Sequence, residues 1–332
     1  MQFNYLRNTI SENNMNIKMK ISWLLGVFFL LFIFLSLPLT PVFAAKPSER
    51  IIVGAKLNEY KPPTRPNCDI YVPKQYATIQ GAIDSASNGD TVCVGKGTYN
   101  EDVSINKSVQ LSGRGARKTI INGQDPNAQG AVAITADNVT LEGFLINGVG
   151  TNFSQTTVAI NGSDSGSVSE AIVQYNRVVA GNGEIALRTV RVQNSIIQNN
   201  ILEGNNSPYV AALAGLDGVG STNNGFINNT FIGTVNAIDR SDTGITLDAA
   251  TPYSLVKQNV FNTSGGLILV ATNNTSIVNE NNFNSSTSIK VASTWGTPLN
   301  AENNWWGDLD PSDNIQGSVD YTPFATNPFA EN

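Results

Sequence analysis

Between Val192 and Gly307 one short phrase keeps returning. It reads Val192-Gln-Asn-Ser-Ile-Ile-Gln-Asn-Asn-Ile-Leu-Glu-Gly204, then Gly225-Phe-Ile-Asn-Asn-Thr-Phe-Ile-Gly233, Leu255-Val-Lys-Gln-Asn-Val-Phe261, Ile277-Val-Asn-Glu-Asn-Asn-Phe283 and Leu299-Asn-Ala-Glu-Asn-Asn-Trp-Trp-Gly307. An earlier copy is Ile172-Val-Gln-Tyr-Asn-Arg-Val178, and a fainter one runs from Val139 to Asn147. The common form is an apolar pair, a polar residue or two, Asn, any residue, then a large apolar one. Steps between the anchor Asn residues are about 22 to 30 residues, a period that signals stacked repeats. Apolar residues alternate over three or four positions, as in Ile245-Thr-Leu247 and Ile289-Lys-Val291, and the i, i+3, i+4 spacing of helical repeats is absent. The pattern predicts an all-β solenoid, a parallel sheet coiled so that each repeat is one rung. Roughly eight rungs about 4.8 Å apart would make a rod near 40 Å long.

Asn suits this architecture for two reasons. It tolerates the left-handed backbone of a sharp turn. Its amide also reaches the same amide one rung away, so Asn176, Asn200, Asn229, Asn259, Asn281 and Asn304 are expected to form a buried ladder.

Working outward, the chain divides into four parts. Residues 1–44 read as a secretory signal peptide with an upstream extension: Lys18 and Lys20 precede an apolar run from Ile21 to Leu37, and Val42-Phe-Ala44 offers a cleavage site. An uncleaved membrane anchor is the rival, because the run approaches spanning length. Residues 45–67 form a Pro-rich lead-in, residues 68–307 the solenoid, and residues 308–332 a tail that is a possible cap for the open end. Cys68 and Cys93 are the only cysteines. In an exported chain such a pair implies a disulfide, worth about 3 kcal/mol for a loop of this size; two buried thiols are the alternative. One helix is legible, between Tyr76 and Gly89. Thr78 is its N-cap, Ile79, Ala82, Ile83 and Ala86 its apolar stripe, and Gly89 its stop. It is expected to lid the N-terminal end of the rod, with Asp90-Thr-Val-Cys-Val94 as the first strand. The segments from Thr151 to Gly166 and from Pro208 to Ser221 interrupt the repeats, and solenoid insertions project from one face.

Charged residues make up only 14 % of the chain, apolar residues 41 %, and the net charge is −6. No basic cluster exists, which argues against nucleic acid or an acidic lipid surface as partner; no membrane insertion is expected after signal cleavage.

The segments Ala77-Thr-Ile-Gln-Gly-Ala-Ile83, Gly89-Asp-Thr-Val92, Gly97-Thr-Tyr-Asn-Glu101 and Val109-Gln-Leu-Ser-Gly113 resemble the opening of the pectin lyase-like superfamily. The Asn phrases look like its parallel β-helix repeats, and Asn303-Asn-Trp-Trp-Gly307 resembles a phrase near its C-terminal end. The resemblance covers about Ile70 to Pro311. It implies a right-handed, single-stranded parallel β-helix, and it leaves activity open, since this scaffold carries lyases, hydrolases, esterases, epimerases and adhesins.

Composition narrows the chemistry. The chain has no His, so His-based triads, zinc sites and Cys-His dyads are excluded, which also argues against the His-dependent hydrolases and epimerases of the superfamily it resembles. The pectin methylesterase phrases Gln-Asp-Thr-Leu and Gly-Arg-Pro-Trp are missing too. What remains is a lyase-like use of Arg with carboxylates or Ca²⁺. Its candidates are Arg188, Arg191 and Arg240 with Asp217, Asp239 and Asp242, and Glu184 shares a strand with Arg188. Asp308, Asp310 and Asp313 have the oxygen-ligand spacing of a Ca²⁺ loop but lack its Gly and distal Glu. Trp295, Trp305 and Trp306 are candidates to stack on sugar rings, or else to close the core. The expected partner is a polysaccharide, and the expected place is the cell surface, the periplasm or the medium. A Ca²⁺-assisted lyase and a structural surface protein or adhesin are the alternatives.

Overall fold

The structure is a computed structural model that describes residues 66–330, apart from 153, 163–165, 207–208, 215–220, 234–242, 248–253, 264–268, 272–274, 285–288 and 294–295. The signal-like segment and most of the Pro-rich lead-in lie outside the described residues. Three parallel sheets of eleven, nine and eight strands dominate. Each circuit of the chain visits the sheets in turn, so the partner of every strand is the equivalent strand one circuit on. Ile172–Gln174, for example, pairs in register with Thr140–Glu142 on one side and Ile196–Gln198 on the other. This is the right-handed parallel β-helix.

The eleven-stranded sheet has more rungs than the Asn phrase marks. Its first strand is Ile70–Val72, one circuit before the expected Thr91–Val94. Three residues followed by Pro73 are too short to show a period, and the pairing of Tyr71 with Cys93 is a tertiary fact. The Cys68–Cys93 disulfide, with Cα atoms 5.7 Å apart, fastens that first circuit to the next. At the far end Ile315–Gly317 and Val319–Asp320 extend two sheets beyond Gly307. Tyr321 and Phe324 then pack on the core.

The helix runs from Ile79 to Ser85, and the Thr78 side chain accepts from the Gly81 N–H. Ile79, Ala82 and Ile83 are fully buried. Glu101, on the following circuit, accepts from the N–H groups of Ile79 and Gln80 at 2.9 and 3.0 Å. Its negative charge sits where the helix N-terminus has unpaired donors.

Strand alternation fills the interior with columns of side chains stacked rung on rung. Val173, Ile197, Phe226, Val256 and Val278 form one such column, all fully buried. Beside it Phe231, Phe261, Phe283 and Trp306 stack with ring centroids 4.7, 5.1 and 5.0 Å apart. The rung spacing imposes that separation, which lies within the range for favourable offset stacking.

At one corner the Asn amides run head to tail. The Nδ2 atoms of Asn176, Asn200, Asn229, Asn259 and Asn281 each donate to the Oδ1 of the next Asn at 3.0–3.2 Å, ending on Asn304. The same Oδ1 atoms accept the preceding Asn main-chain N–H at 2.9–3.0 Å. Each Nδ2 also reaches back to a strand carbonyl, Ile197 for Asn229 and Phe226 for Asn259. The left-handed turn falls on a different residue, the one before. Tyr175, Asn199, Asn228, Gln258, Glu280 and Asn303 all have φ between 54° and 59°. The two uses of Asn thus fall on neighbouring residues.

These two positions differ in cost. Asn229→Ala strands the Asn200 N–H and the Ile197 carbonyl inside the protein, and buried unpaired groups cost about 1–3 kcal/mol each, so a loss of about 3–5 kcal/mol is expected. Asn228→Ala keeps the buried ladder but removes the Asn228 Nδ2 bond to Asn199 Oδ1 and leaves the left-handed position without the locally hydrogen-bonding amide that favours it, for about 1–2 kcal/mol. Urea denaturation of both variants checks this. An Asn229→Ala loss no larger than that of Asn228→Ala would remove the ladder from its central place.

Candidate functional site

Strands of the nine-stranded sheet are three residues long at Val103–Ile105 and Val132–Ile134, and lengthen to six at Thr156–Asn161 and Ile185–Val190. On the last of these Ile185, Leu187 and Thr189 turn inward and are buried, while Arg188 turns out. In register before Arg188 stand Ala159 and Ala133, both buried. Loops on two circuits rise beside them. The result is a pocket of about 440 Å³ lined by Asn127, Gln129, Asn152, Gln155, Asn161 and Arg188, among others.

Gln155 ties the walls together. Its Oε1 accepts from the N–H groups of Thr151 and Asn152 at 2.7 and 3.2 Å, and its Nε2 donates to the Pro126 carbonyl at 2.7 Å. Arg188 Nη1 donates to the Ser154 carbonyl at 3.0 Å. Partial burial pulls the guanidinium pKa down from its ordinary value, so a negative or hydroxyl-rich ligand there meets a poorly hydrated cation.

Glu184 anchors the same wall from beneath. It is buried, and Oε2 accepts from the Gly150 and Gly181 N–H groups at 3.0 and 2.7 Å. A Cβ on Gly148 would lie 2.1 Å from that oxygen, and one on Gly181 2.7 Å, so only glycine fits around the carboxyl. Burial raises the Glu184 pKa above the ordinary glutamate value, against the opposing pull of the two N–H groups. Glu184 is therefore a support for the pocket wall, enclosed away from any ligand.

The remaining sequence candidates fall in three places. Asp217, Asp239, Arg240, Asp242 and Trp295 lie outside the described residues. Arg191 is buried with φ 54° at the corner after the Arg188 strand, and it does not line the pocket. Trp306 corrects the expectation of a sugar platform. It is fully buried, tilted on Phe283 and edge-on to Tyr321, so its ring ends the aromatic column and offers no face to a ligand. Trp305 is half-buried and its backbone bridges to Asn282.

The three Asp residues after Trp306 serve the turn. Asp308 accepts from the Asp310 N–H and the Asn314 amide, Asp310 caps Ser312, and Asp313 accepts from Asn314. Among the described residues no group of three His, Cys, Asp or Glu side chains converges as a metal-ligand set. Lys290 fastens this turn from inside the end of the rod, donating to the Trp306 carbonyl and lying 3.7 Å from Asp308. Burial lowers its pKa, and Asp308 opposes the shift. Sequence reasoning missed Gln155 and Lys290, whose roles depend on loops from other circuits. No described helix is long and apolar enough to cross a membrane.

Comparison with known proteins places the architecture. The alginate lyase of Paenibacillus sp. str. FPU-7 superposes over 74 % of this chain and 93 % of its own, with TM-score 0.50 and 11 % identity. The two share the right-handed parallel β-helix fold. The pectin methylesterase of Aspergillus niger covers 82 % of this chain and 89 % of its own, with TM-score 0.43 and 11 % identity. At such identity the likeness is one of fold alone. No protein-family model matches the chain. A cell surface glycoprotein of Methanothermus fervidus is 39 % identical over 77 residues, which span 23 % of this chain and only 12 % of that protein.

The Glu184 shift has a signature in stability. Because the folded-state pKa is raised, folding favours the protonated form. That stabilisation is complete below the ordinary glutamate pKa and is lost as pH rises through the raised value. Glu184→Gln keeps an oxygen for Gly150 and Gly181 and removes the titration. The melting temperature of the native protein relative to Glu184→Gln should fall as pH rises across that window. A difference that stays flat with pH would mean that the carboxyl titrates normally.

Proposed function

We propose that this chain is an exported β-helix protein that holds extracellular or cell-envelope polysaccharide against the outer face of its rod. The Arg188 pocket carries this reading. It joins one partly desolvated cation to a lining of Asn and Gln side chains, on a rod whose repeating surface suits a long ligand. Three observations support export: the signal-like N-terminus, the Cys68–Cys93 disulfide, and the partial likeness to a protein named a cell surface glycoprotein. The reading assigns no reaction to the pocket. A structural surface protein is the second reading, favoured by that same likeness and by hydrogen-bonded ladders that stiffen the rod.

The test mixes the purified protein with acidic and neutral polysaccharides, with and without Ca²⁺. Retention on each polymer and the ultraviolet absorbance of unsaturated uronates are followed together. Retention of the native protein is expected, and Arg188→Ala should weaken it about tenfold, or ~1.4 kcal/mol, with the melting temperature unchanged. Rising absorbance would make the protein a lyase. Absence of retention on every polymer would favour the structural reading.

A further inference from the structure

The outer face of the eleven-stranded sheet carries a line of aliphatic side chains that neither the fold nor the Arg188 pocket uses. Ile172, Ile196, Gly225, Leu255 and Ile277 stand in register on five successive rungs. Ile196 is 36 % exposed and Ile277 42 %, while Ile172 and Leu255 are half-buried. Gly225 would break the line, but the Ile227 side chain leans over it, its Cδ1 3.3 Å from where a Cβ would stand. The strip is therefore continuous. Scattered exposed Ile residues are ordinary, whereas an aligned run of them marks a contact surface.

A second column runs beside the first, two residues further along each strand. It holds amides in fixed directions. Gln198 Nε2 donates to Gln174 Oε1 at 2.9 Å, and Gln174 Nε2 donates to Glu142 at 2.8 Å. Glu142 is buried and also accepts from Ser112 and Gln110 at 2.9 and 3.0 Å, so its charge is fully engaged. Along the five rungs these two columns contain one charged residue, Lys257, which is paired with Glu280 at 3.1 Å. The face is neutral on a chain of net charge −6.

Three properties identify the occupant. Apolar contacts aligned in one direction call for a linear ligand with a C–H-rich face. Amides along one side call for hydroxyl groups at its edge. Among the described residues of the strip no cation is unpaired, which leaves an acidic polymer without a counter-charge, so complementarity selects an uncharged one. Rungs about 4.8 Å apart are spaced close to one sugar residue of an extended chain. We propose that an uncharged linear polysaccharide with equatorial linkages, of the cellulose, mannan or xylan kind, lies along this strip. Its ring faces rest on Ile172, Ile196, Leu255 and Ile277, one ring per rung, and its hydroxyl edges meet Gln174 and Gln198. This surface is separate from the Arg188 pocket and does not depend on it.

The test uses Ile196→Lys with Ile277→Lys in one protein, and Ile196→Thr with Ile277→Thr as a gentler pair that keeps strand-forming side chains should the first lose its fold. Probes are insoluble cellulose, glucomannan and xylan, with alginate and polygalacturonate as acidic counterparts. The native protein should be retained on the neutral polymers. The double variants should lose at least about tenfold in retention there, with unchanged melting temperature. Retention unaltered in the double variants overturns the proposal. So does retention on acidic polymers alone, a result that leaves the pocket reading standing. A native dimer in light scattering that the double variants convert to monomer would also overturn it, since a second copy of the chain would then cover the strip. Failure on all polymers defeats both readings.

Discussion

A chain that turns a corner every few residues must satisfy backbone N–H groups that no strand partner can reach. Here the Asn of the next circuit does so: its Oδ1 takes both the main-chain N–H and the side-chain amide of the Asn before it. Buried donors left unpaired cost more than most single contacts contribute, so this requirement fixes the height and rotation of each circuit on the last. The rest follows from that alignment. Phenylalanines stack because their strands are in register, outward columns line up rung upon rung, and the residue before each Asn is drawn into left-handed geometry even when it is Tyr175, Gln258 or Glu280.

Much of this was legible because the repeat is written in large, regularly spaced residues. The ladder Asn residues and the apolar stripe of the lid helix are local patterns, and the strands that flank each Asn alternate visibly. Less legible were features whose cause lies one circuit away. Ile70–Val72 is a strand only because Thr91–Val94 lies beside it. Trp306 looked like a sugar platform because nothing local says that Phe283 and Tyr321 enclose it. Arg188 was visible as a central cation, but its pocket is made by Gln155 joining two loops far from it in sequence. The Asp308, Asp310 and Asp313 spacing suggested a cation loop, whereas the carboxylates cap their own turn.

Two of the buried ionisable groups sit where an irregular segment must be fixed to the regular rod. Glu184 gathers the N–H groups of Gly150 and Gly181 under the pocket wall, and Lys290 reaches the Trp306 carbonyl beneath the terminal turn. A charged group can satisfy several loop dipoles at once, which a neutral side chain does less well. The desolvation that shifts both pKa values is the counterpart of placing them inside.

The ladder also has a direction. From Asn176 to Asn281 each Nδ2 makes its side-chain bond to the Asn on the C-terminal side, and Asn304 closes the series by donating only to the Val278 and Ala301 carbonyls. An interior circuit thus presents the same acceptor below and the same donor above. A duplicated stretch inserted between Asn229 and Asn259 would find matching partners on both sides, whereas one appended after Asn304 would meet a finished end. Growth of such a gene by internal duplication is therefore structurally silent, and the length of the rod is free to follow the length of whatever it must span.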